Sequence, residues 1–344
     1  MTATTTESVT ATQGHQRHSI ERLDRWRAMD YGMFIHYGLA TFDDRPLGAK
    51  GPFPPVSDYQ PSELDVDQWV QVARDAGMKY MIVSAKHSRD GGFAMWPTKY
   101  SERGVAHSPV KTDVIGELVK ACDKHGVKPA IYIGGDPLSL PNGMVGGPKA
   151  PFFEVSREYM EMTLGQIEEL LTQYGPIEEM WFDGPHKYGV MGRWEITRHI
   201  ESLQPDCIVA MNGTWEDDGK APQMKPYAWP SDLIVIEAGV PPIWGTETWK
   251  RLAWDPYGNV VDEPLPYYLP VENCGIAHMG GPGWWWGPNC RARSVAELLG
   301  VRLLCHVRNA NCVFNVTPDV RGKIPDDQAK ALFDLRKTYE SLGV

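Results

Sequence analysis

The chain has 344 residues, 42% of them hydrophobic and 23% charged, with 34 Gly and 28 Pro. That is ample apolar material for a large core, which excludes global disorder. The net charge of −10 argues against nucleic acid or an anionic membrane surface as the main partner. Trp (13) outnumbers Phe (9), and Tyr adds 14, a balance suited to stacking on flat, partly polar ligands as well as to an aromatic core.

Residues 1–18 are polar and Thr-rich, with no apolar run, and read as a disordered tail rather than a signal peptide. The rest, 19–344, reads as one domain. Eight strand-like apolar runs follow in chain order: Tyr31–Gly38, Lys79–Lys86, Lys128–Gly135, Glu178–Gly184, Cys207–Gly213, Leu233–Gly239, a seventh within Val271–Gly280, and Asn311–Pro318. Near-continuous apolar runs fit strands buried on both faces of a parallel sheet. Between them, helical spacing marks the stretch after Asp65 (Trp69, Val72, Ala73, Ala76) and the next (Ile115, Leu118, Val119, Cys122). Further helices are expected over 154–174, 192–203, 294–306 and 325–342, with long loops at 40–64 and 250–270. Strand–helix alternation repeated about eight times predicts a (β/α)8 TIM-like barrel of the α/β class, forming a single catalytic domain. A doubly wound open sheet is the runner-up, but its first-turn glycine fingerprint is missing.

The six cysteines form no CxxC pair, and several sit inside apolar runs. Free, reduced thiols in a cytoplasmic protein are the expectation. No segment has 18 consecutive apolar residues, so no membrane span is expected. No metal or other cofactor is expected, and a homo-oligomer is compatible with the sequence.

In a barrel the active site sits at the C-terminal ends of the strands. Those ends carry His36 and Tyr37, Lys86 and His87, Asp136, Asp183, Asn212 and Glu237. A carboxylate at the tip of an apolar strand is costly unless used or paired. Asp183 and Glu237 therefore read as a pair sharing the roles of nucleophile and general acid/base, as glycoside hydrolysis requires. Glu247 rivals Glu237, and Glu216 and Asp217 are weaker candidates. His36 and His87 read as hydrogen-bonding partners of a ligand. Trp96 and Trp285 read as stacking surfaces, with Trp181, Trp215, Trp244, Trp284 and Trp286 also near strand ends. A metal site built on His36, His87 and Asp183 is an alternative, without HxH or HExxH context. A binding protein that lost its chemistry is another.

At these residues the chain resembles the α-L-fucosidases of glycoside hydrolase family 29. The matching stretches are Tyr31–Gly38 (YGMFIHYG), Ala85–Pro97 (AKHSRDGGFAMWP), Trp181–Gly184 (WFDG), Pro282–Trp286 (PGWWW) and Arg308–Pro325 (RNANCVFNVTPDVRGKIP). The resemblance implies a retaining exo-glycosidase acting on a small carbohydrate or glycoside, with Asp183 as nucleophile and His36 as a substrate ligand. It places Glu237 as acid/base by its offset from Asp232. The chain departs from the family pattern where a second histidine would follow His87, which is Ser88. It also departs at the third strand, where only Tyr132 remains of a tyrosine pair, and at the fifth, where Asn212 and Thr214 stand in place of an expected arginine. No β-sandwich of the kind that commonly follows the family's barrel is expected after the last helix of this sequence. These departures touch sugar contacts, so the expected substrate is a terminal α-L-fucosyl unit or a related sugar.

Overall fold

The computed structural model describes residues 14–43, 45, 52–134, 155–213, 228–237 and 248–343. Eight parallel strands form the barrel: β1 Tyr31–Ile35, β2 Tyr80–Lys86, β3 Lys128–Ile133, β4 Glu179–Phe182, β5 Ile208–Met211, β6 Ile234–Ile236, β7 Val271–Ile276 and β8 Ala310–Val316. They are hydrogen-bonded in the order β5-β4-β3-β2-β1-β8-β7-β6. The helices are α1 Ile20–Arg27, α2 Val66–Asp75, α3 Val114–His125, α4 Arg157–Gln173, α5 Gly189–Leu203, α6 Val295–Val307 and α7 Asp326–Ser341. Side-chain N-caps start α1 (Ser19), α2 (Asp65), α3 (Asp113), α4 (Ser156) and α6 (Ser294), each satisfying a backbone N–H that the helix leaves over.

The two-residue side-chain period of a strand sorts the core into two layers. Met33, Ile35, Ile131, Ile133, Met180, Phe182, Val209, Met211, Ile234 and Ile236 face outwards and pack with the helices. Phe34, Tyr80, Ile82, Ala130, Tyr132, Trp181, Ala210, Val235, Cys274 and Val313 fill the barrel. Trp26 of α1 joins that inner layer, and its indole N–H donates to Glu179 Oε2 (2.9 Å). Glu272 Oε2 accepts from the Tyr80 hydroxyl (2.9 Å), and its Oε1 accepts from Trp181 Nε1 (3.1 Å). Glu179 and Glu272 are both fully buried. Burial, aided by the charge of Glu272, holds the Glu179 carboxyl well above its usual range.

Seven of the eight gaps between neighbouring strands are parallel ladders; β5 and β6, the two ends of the sheet order, share none. Side chains and one backbone bond close that seam instead. Asp232 donates its backbone N–H to Val209 O (2.8 Å) and accepts Val209 N–H on Oδ2 (2.7 Å). Ser231 Oγ accepts from Met211 N (3.1 Å) and donates to Leu233 O (2.8 Å). Arg17 and His18, assigned to a disordered tail from sequence, pack against this seam. Arg17 is ion-paired with Asp232, its Nη2 also donates to Cys207 O (2.8 Å), and His18 is buried beside it.

The segment 250–270, expected to be a loop, is largely an antiparallel hairpin of Trp249–Trp254 and Val260–Tyr268. Its residues alternate between exposed and half-buried over most of its length, so it lacks the continuous apolar run that marks a barrel strand. No helix among the described residues is long and apolar enough to cross a membrane. All six cysteines are free thiols, five of them buried.

Candidate active site

The inner layer's parity carries past the strand ends. Two residues beyond Phe34 lies His36, beyond Ala130 Tyr132, beyond Trp181 Asp183, beyond Ala210 Asn212, beyond Val235 Glu237, and beyond Val313 Asn315. All six therefore point to the axis at the mouth of the barrel. His87 is out of step with Tyr80 and Ile82, but a register shift between Ser84 and Lys86 re-aims the strand. Lys86 then reaches outwards to Gln166 Oε1 of α4 (2.7 Å), and the His87 ring joins the site.

Asp183 is the hub. Its Oδ2 accepts from the Tyr132 hydroxyl (2.9 Å), and its Oδ1 accepts from Asn212 Nδ2 (2.8 Å) and from Gly184 N (2.9 Å). Gly184 has φ 58°, a left-handed conformation that suits glycine and turns the chain from β4 into the turn Pro185–Tyr188. Lys187, in the turn Pro185–Tyr188, donates to the Asp183 carbonyl (3.2 Å). Burial opposes the charge on Asp183, but His87, the Asn212 amide, Lys187 and the Tyr132 hydroxyl outweigh it and hold the carboxyl below its usual range.

Asn212 Nδ2 also donates to Glu237 Oε2 (2.9 Å). Two hydrogen bonds of 2.8 and 2.9 Å on one nitrogen limit the two carboxylate oxygens to a separation of no more than about 5.7 Å. Desolvation and the neighbouring charge of Asp183, opposed by Asn212, push Glu237 up to about 7, although the residue stands exposed at the rim. The two carboxyls thus sit in environments that drive their ionisation apart.

The histidines line the other side. His36 Nδ1 lies 2.7 Å from Asn315 Oδ1, and Asn315 Nδ2 donates to Trp284 O (2.8 Å), which fixes the amide's orientation. His36 Nδ1 therefore carries the proton, leaving Nε2 as an acceptor. His87 Nδ1 accepts from Arg89 N (2.9 Å), so its neutral ring carries the proton on Nε2, a donor. Burial first, with the partner histidine adding to it, lowers His36 to about 3; burial, opposed by Asp183, lowers His87 to about 4. The His87 ring stacks on Tyr132 (5.2 Å, 9°), and Tyr132 stacks on Trp181 (5.2 Å, 26°).

Two of the expected stacking residues do not present a face. Trp96 is buried among the outer core residues, its Nε1 bound to Glu169 Oε2 of α4 (3.0 Å). Trp285 is also fully buried, with its ring edge-on to His36 and His87. The half-buried Trp284, 5.5 Å from His36, offers the open aromatic surface instead. Asn315 and Lys187 were not singled out from sequence. Asn315 could have been, as the polar residue two beyond Val313 that continues the strand's inner parity. Asp136, Trp215, Glu216, Asp217, Trp244 and Glu247 lie outside the described residues. Among the described residues no group of three or more His, Cys, Asp or Glu side chains is arranged to hold a metal ion.

Known proteins share both the sequence and the fold. The alpha-L-fucosidase family model matches residues 54–251, over half of the chain. Alpha-L-fucosidase 1 of Arabidopsis thaliana is 27% identical over 92% of this chain and 59% of its own length. The alpha-L-fucosidase of Dictyostelium discoideum is 28% identical over 81% of this chain and 55% of its own. The chain spans about three fifths of the length of the plant relatives it matches. Among solved structures, a glycoside hydrolase 29 family member from a rumen bacterium superposes with a TM-score of 0.71 at 27% identity, covering 94% of this chain and 57% of that one. The chain belongs to the alpha-L-fucosidase family.

Proposed function

We propose that this protein is a retaining exo-glycosidase that releases a terminal α-L-fucosyl or closely related sugar. The observation that carries the reading is the Asn212 amide bridging Asp183 and Glu237. It keeps their nearest oxygens within reach of the separation of about 5–5.5 Å found for retaining pairs, and short of the roughly 6.5 Å at which inverting pairs begin.

Asp183, held ionised by its donors, attacks the anomeric carbon as the bond to the leaving oxygen breaks. Glu237, protonated up to about pH 7, gives its proton to that oxygen. The product of this half-reaction is a glycosyl ester of Asp183. Glu237, now ionised, takes a proton from water, whose oxygen attacks the anomeric carbon and frees Asp183. His87 Nε2 donates to a ring hydroxyl and His36 Nε2 accepts from another, so the pair reads two hydroxyls of opposite polarity. Trp284 supplies the apolar wall.

A panel of nitrophenyl glycosides with wild type, Asp183→Asn and Asp183→Gly tests the assignment. Turnover of the α-L-fucoside should fall at least about a thousandfold in Asp183→Asn, and azide should restore Asp183→Gly as a glycosyl azide of inverted configuration. NMR of the wild-type reaction should show the product's retained anomer first. Full activity in Asp183→Asn, or an inverted first product, overturns the reading.

A further inference from the structure

The two carboxylates stand on opposite sides of a gap that no backbone ladder spans. Asp183 follows β4, which is laddered to β5, whereas Glu237 follows β6, whose one ladder among the described residues is to β7. Asn212, at the tip of β5, reaches across to Glu237 at the tip of β6. What sets the width of that gap therefore sets the distance between the reacting groups.

At its lower end the gap is held by charge. Asp232, two residues before β6, is buried and binds Val209 of β5 through both its N–H and its carboxylate. Arg17 sits across the same point. Its guanidinium donates to Asp232 Oδ1 (3.2 Å), is ion-paired with Oδ2, and donates to Cys207 O at the entry to β5 (2.8 Å). His18 Nε2 lies 3.1 Å from the same carbonyl and 3.4 Å from Asp232. Both members of the Arg17–Asp232 pair are largely shielded from water, so losing one leaves the other as a poorly compensated buried charge. From Val209 to Asn212 is three residues of extended chain, about 10 Å, and from Asp232 to Glu237 five, about 16 Å. A displacement at the clamp is carried up two short strands to the site.

We propose that Arg17 is a positioning residue for catalysis: by clamping Asp232 onto β5 it fixes the β5–β6 seam and with it the placement of Glu237 against Asn212 and Asp183. This rests on the reading of Asp183 and Glu237 as the catalytic pair. Its signature is a change in chemistry rather than in binding, since His36, His87 and Trp284 are held by other strands.

The test compares wild type with Arg17→Gln, Arg17→Lys and Arg302→Gln. Arg302 is a control, because it is ion-paired with Asp30 on the β1–α6 side, remote from the seam. The readouts are kcat, KM and the pH profile on a nitrophenyl α-L-fucoside, well below each protein's Tm. A misplacement of about 1 Å can cost on the order of 100-fold, so Arg17→Gln should lose at least about tenfold in kcat with KM within about twofold. Among the described residues, the titratable groups whose charge couples to Glu237 are Asp183 on the β4 side, Tyr132 of β3 and Cys274 of β7. Moving Glu237 towards solvent and away from Asp183 should lower the basic limb by at least about half a pH unit. Arg17→Lys should recover part of both losses, and stands in if Arg17→Gln does not fold. Arg302→Gln should lose Tm but keep kcat and the limb. A chain that lacks Arg17 but keeps kcat and pH profile, or an Arg302→Gln chain showing the same changes, overturns the proposal. Crystal structures of wild type and the Arg17 variants give a readout independent of turnover. A wider Asp183–Glu237 separation in the variants supports the proposal, and an unchanged one refutes it. Absence of any fucosidase activity in wild type would instead remove the catalytic reading.

Discussion

Asn212→Ala removes the one nitrogen that donates to both carboxylates, by bonds of 2.8 and 2.9 Å. A hydrogen bond to a charged group contributes about 1.5–3 kcal/mol. The bond to Asp183 lies in the half-buried floor, whereas the one to Glu237 is solvent-exposed and counts at the low end. If the loss falls mainly on the transition state, kcat/KM should drop about 10- to 150-fold, at roughly 1.4 kcal/mol per decade. The pH profile adds a sign. Both bonds favour the charged forms, so without them Asp183 protonates at higher pH on the acid limb. Glu237 likewise keeps its proton to higher pH on the basic limb. The whole bell should move alkaline by about one unit. Steady-state kinetics from pH 3 to 9 on a nitrophenyl α-L-fucoside, with circular dichroism to check the fold, would decide it. A change in kcat/KM of less than about twofold, or limbs that stay put or move to acid, would falsify the bridging argument.

Three further outcomes are expected. Tyr132→Phe keeps the stack with His87 but loses the donor to Asp183 Oδ2; kcat should fall about tenfold and the acid limb should rise, and unchanged kinetics would show the hydroxyl to be idle. Trp96→Phe breaks the bond to Glu169 in the outer core and should lower unfolding free energy by about 1–3 kcal/mol while kcat and KM stay within about twofold; a large rise in KM would return Trp96 to the site. Glu272→Gln addresses a carboxyl that burial, opposed by hydrogen bonds from Tyr80, Trp181 and Cys274, pushes up to about 7. The folded chain keeps a proton there that the unfolded chain releases above about pH 4.5. The group's contribution is therefore full below that pH and erodes as pH rises to about 7, by up to roughly 3 kcal/mol. Urea titrations should show the Glu272→Gln chain gaining on wild type across that interval; a constant difference would mean Glu272 titrates normally.

Most of the eight strands are legible because they are buried apolar runs, and the structure trims six of them by two or three residues where the run continues into the site. His36, Asp183, Asn212 and Glu237 were visible as polar residues ending such runs. Their common direction was also available, since each continues the inner parity of its strand. Asn315 is harder to read because it lies inside its strand rather than ending it. His87 is in place only because of the register shift in β2, which no periodicity announces. The Trp96 expectation failed because a loop tryptophan's direction depends on its partner, Glu169, 73 residues away. The hairpin at 249–268 was hidden by its prolines at 264 and 266 and by its solvated faces.

The side-chain closure between β5 and β6 also gives the barrel a preferred line of failure. Ladder hydrogen bonds break together along a strand, but Val209 and Met211 donate their N–H groups to Asp232 and Ser231, so two side-chain rotations and the loss of one backbone bond, Asp232 N–H to Val209 O, release this edge. The cylinder can therefore unroll from this edge while the ladders from β5 back through β1, and on through β8 and β7 to β6, persist. In native-state hydrogen exchange, Val209 and Met211 should open through a sub-global step cheaper than the one that frees Ile82 or Ile131 in the middle of the sheet.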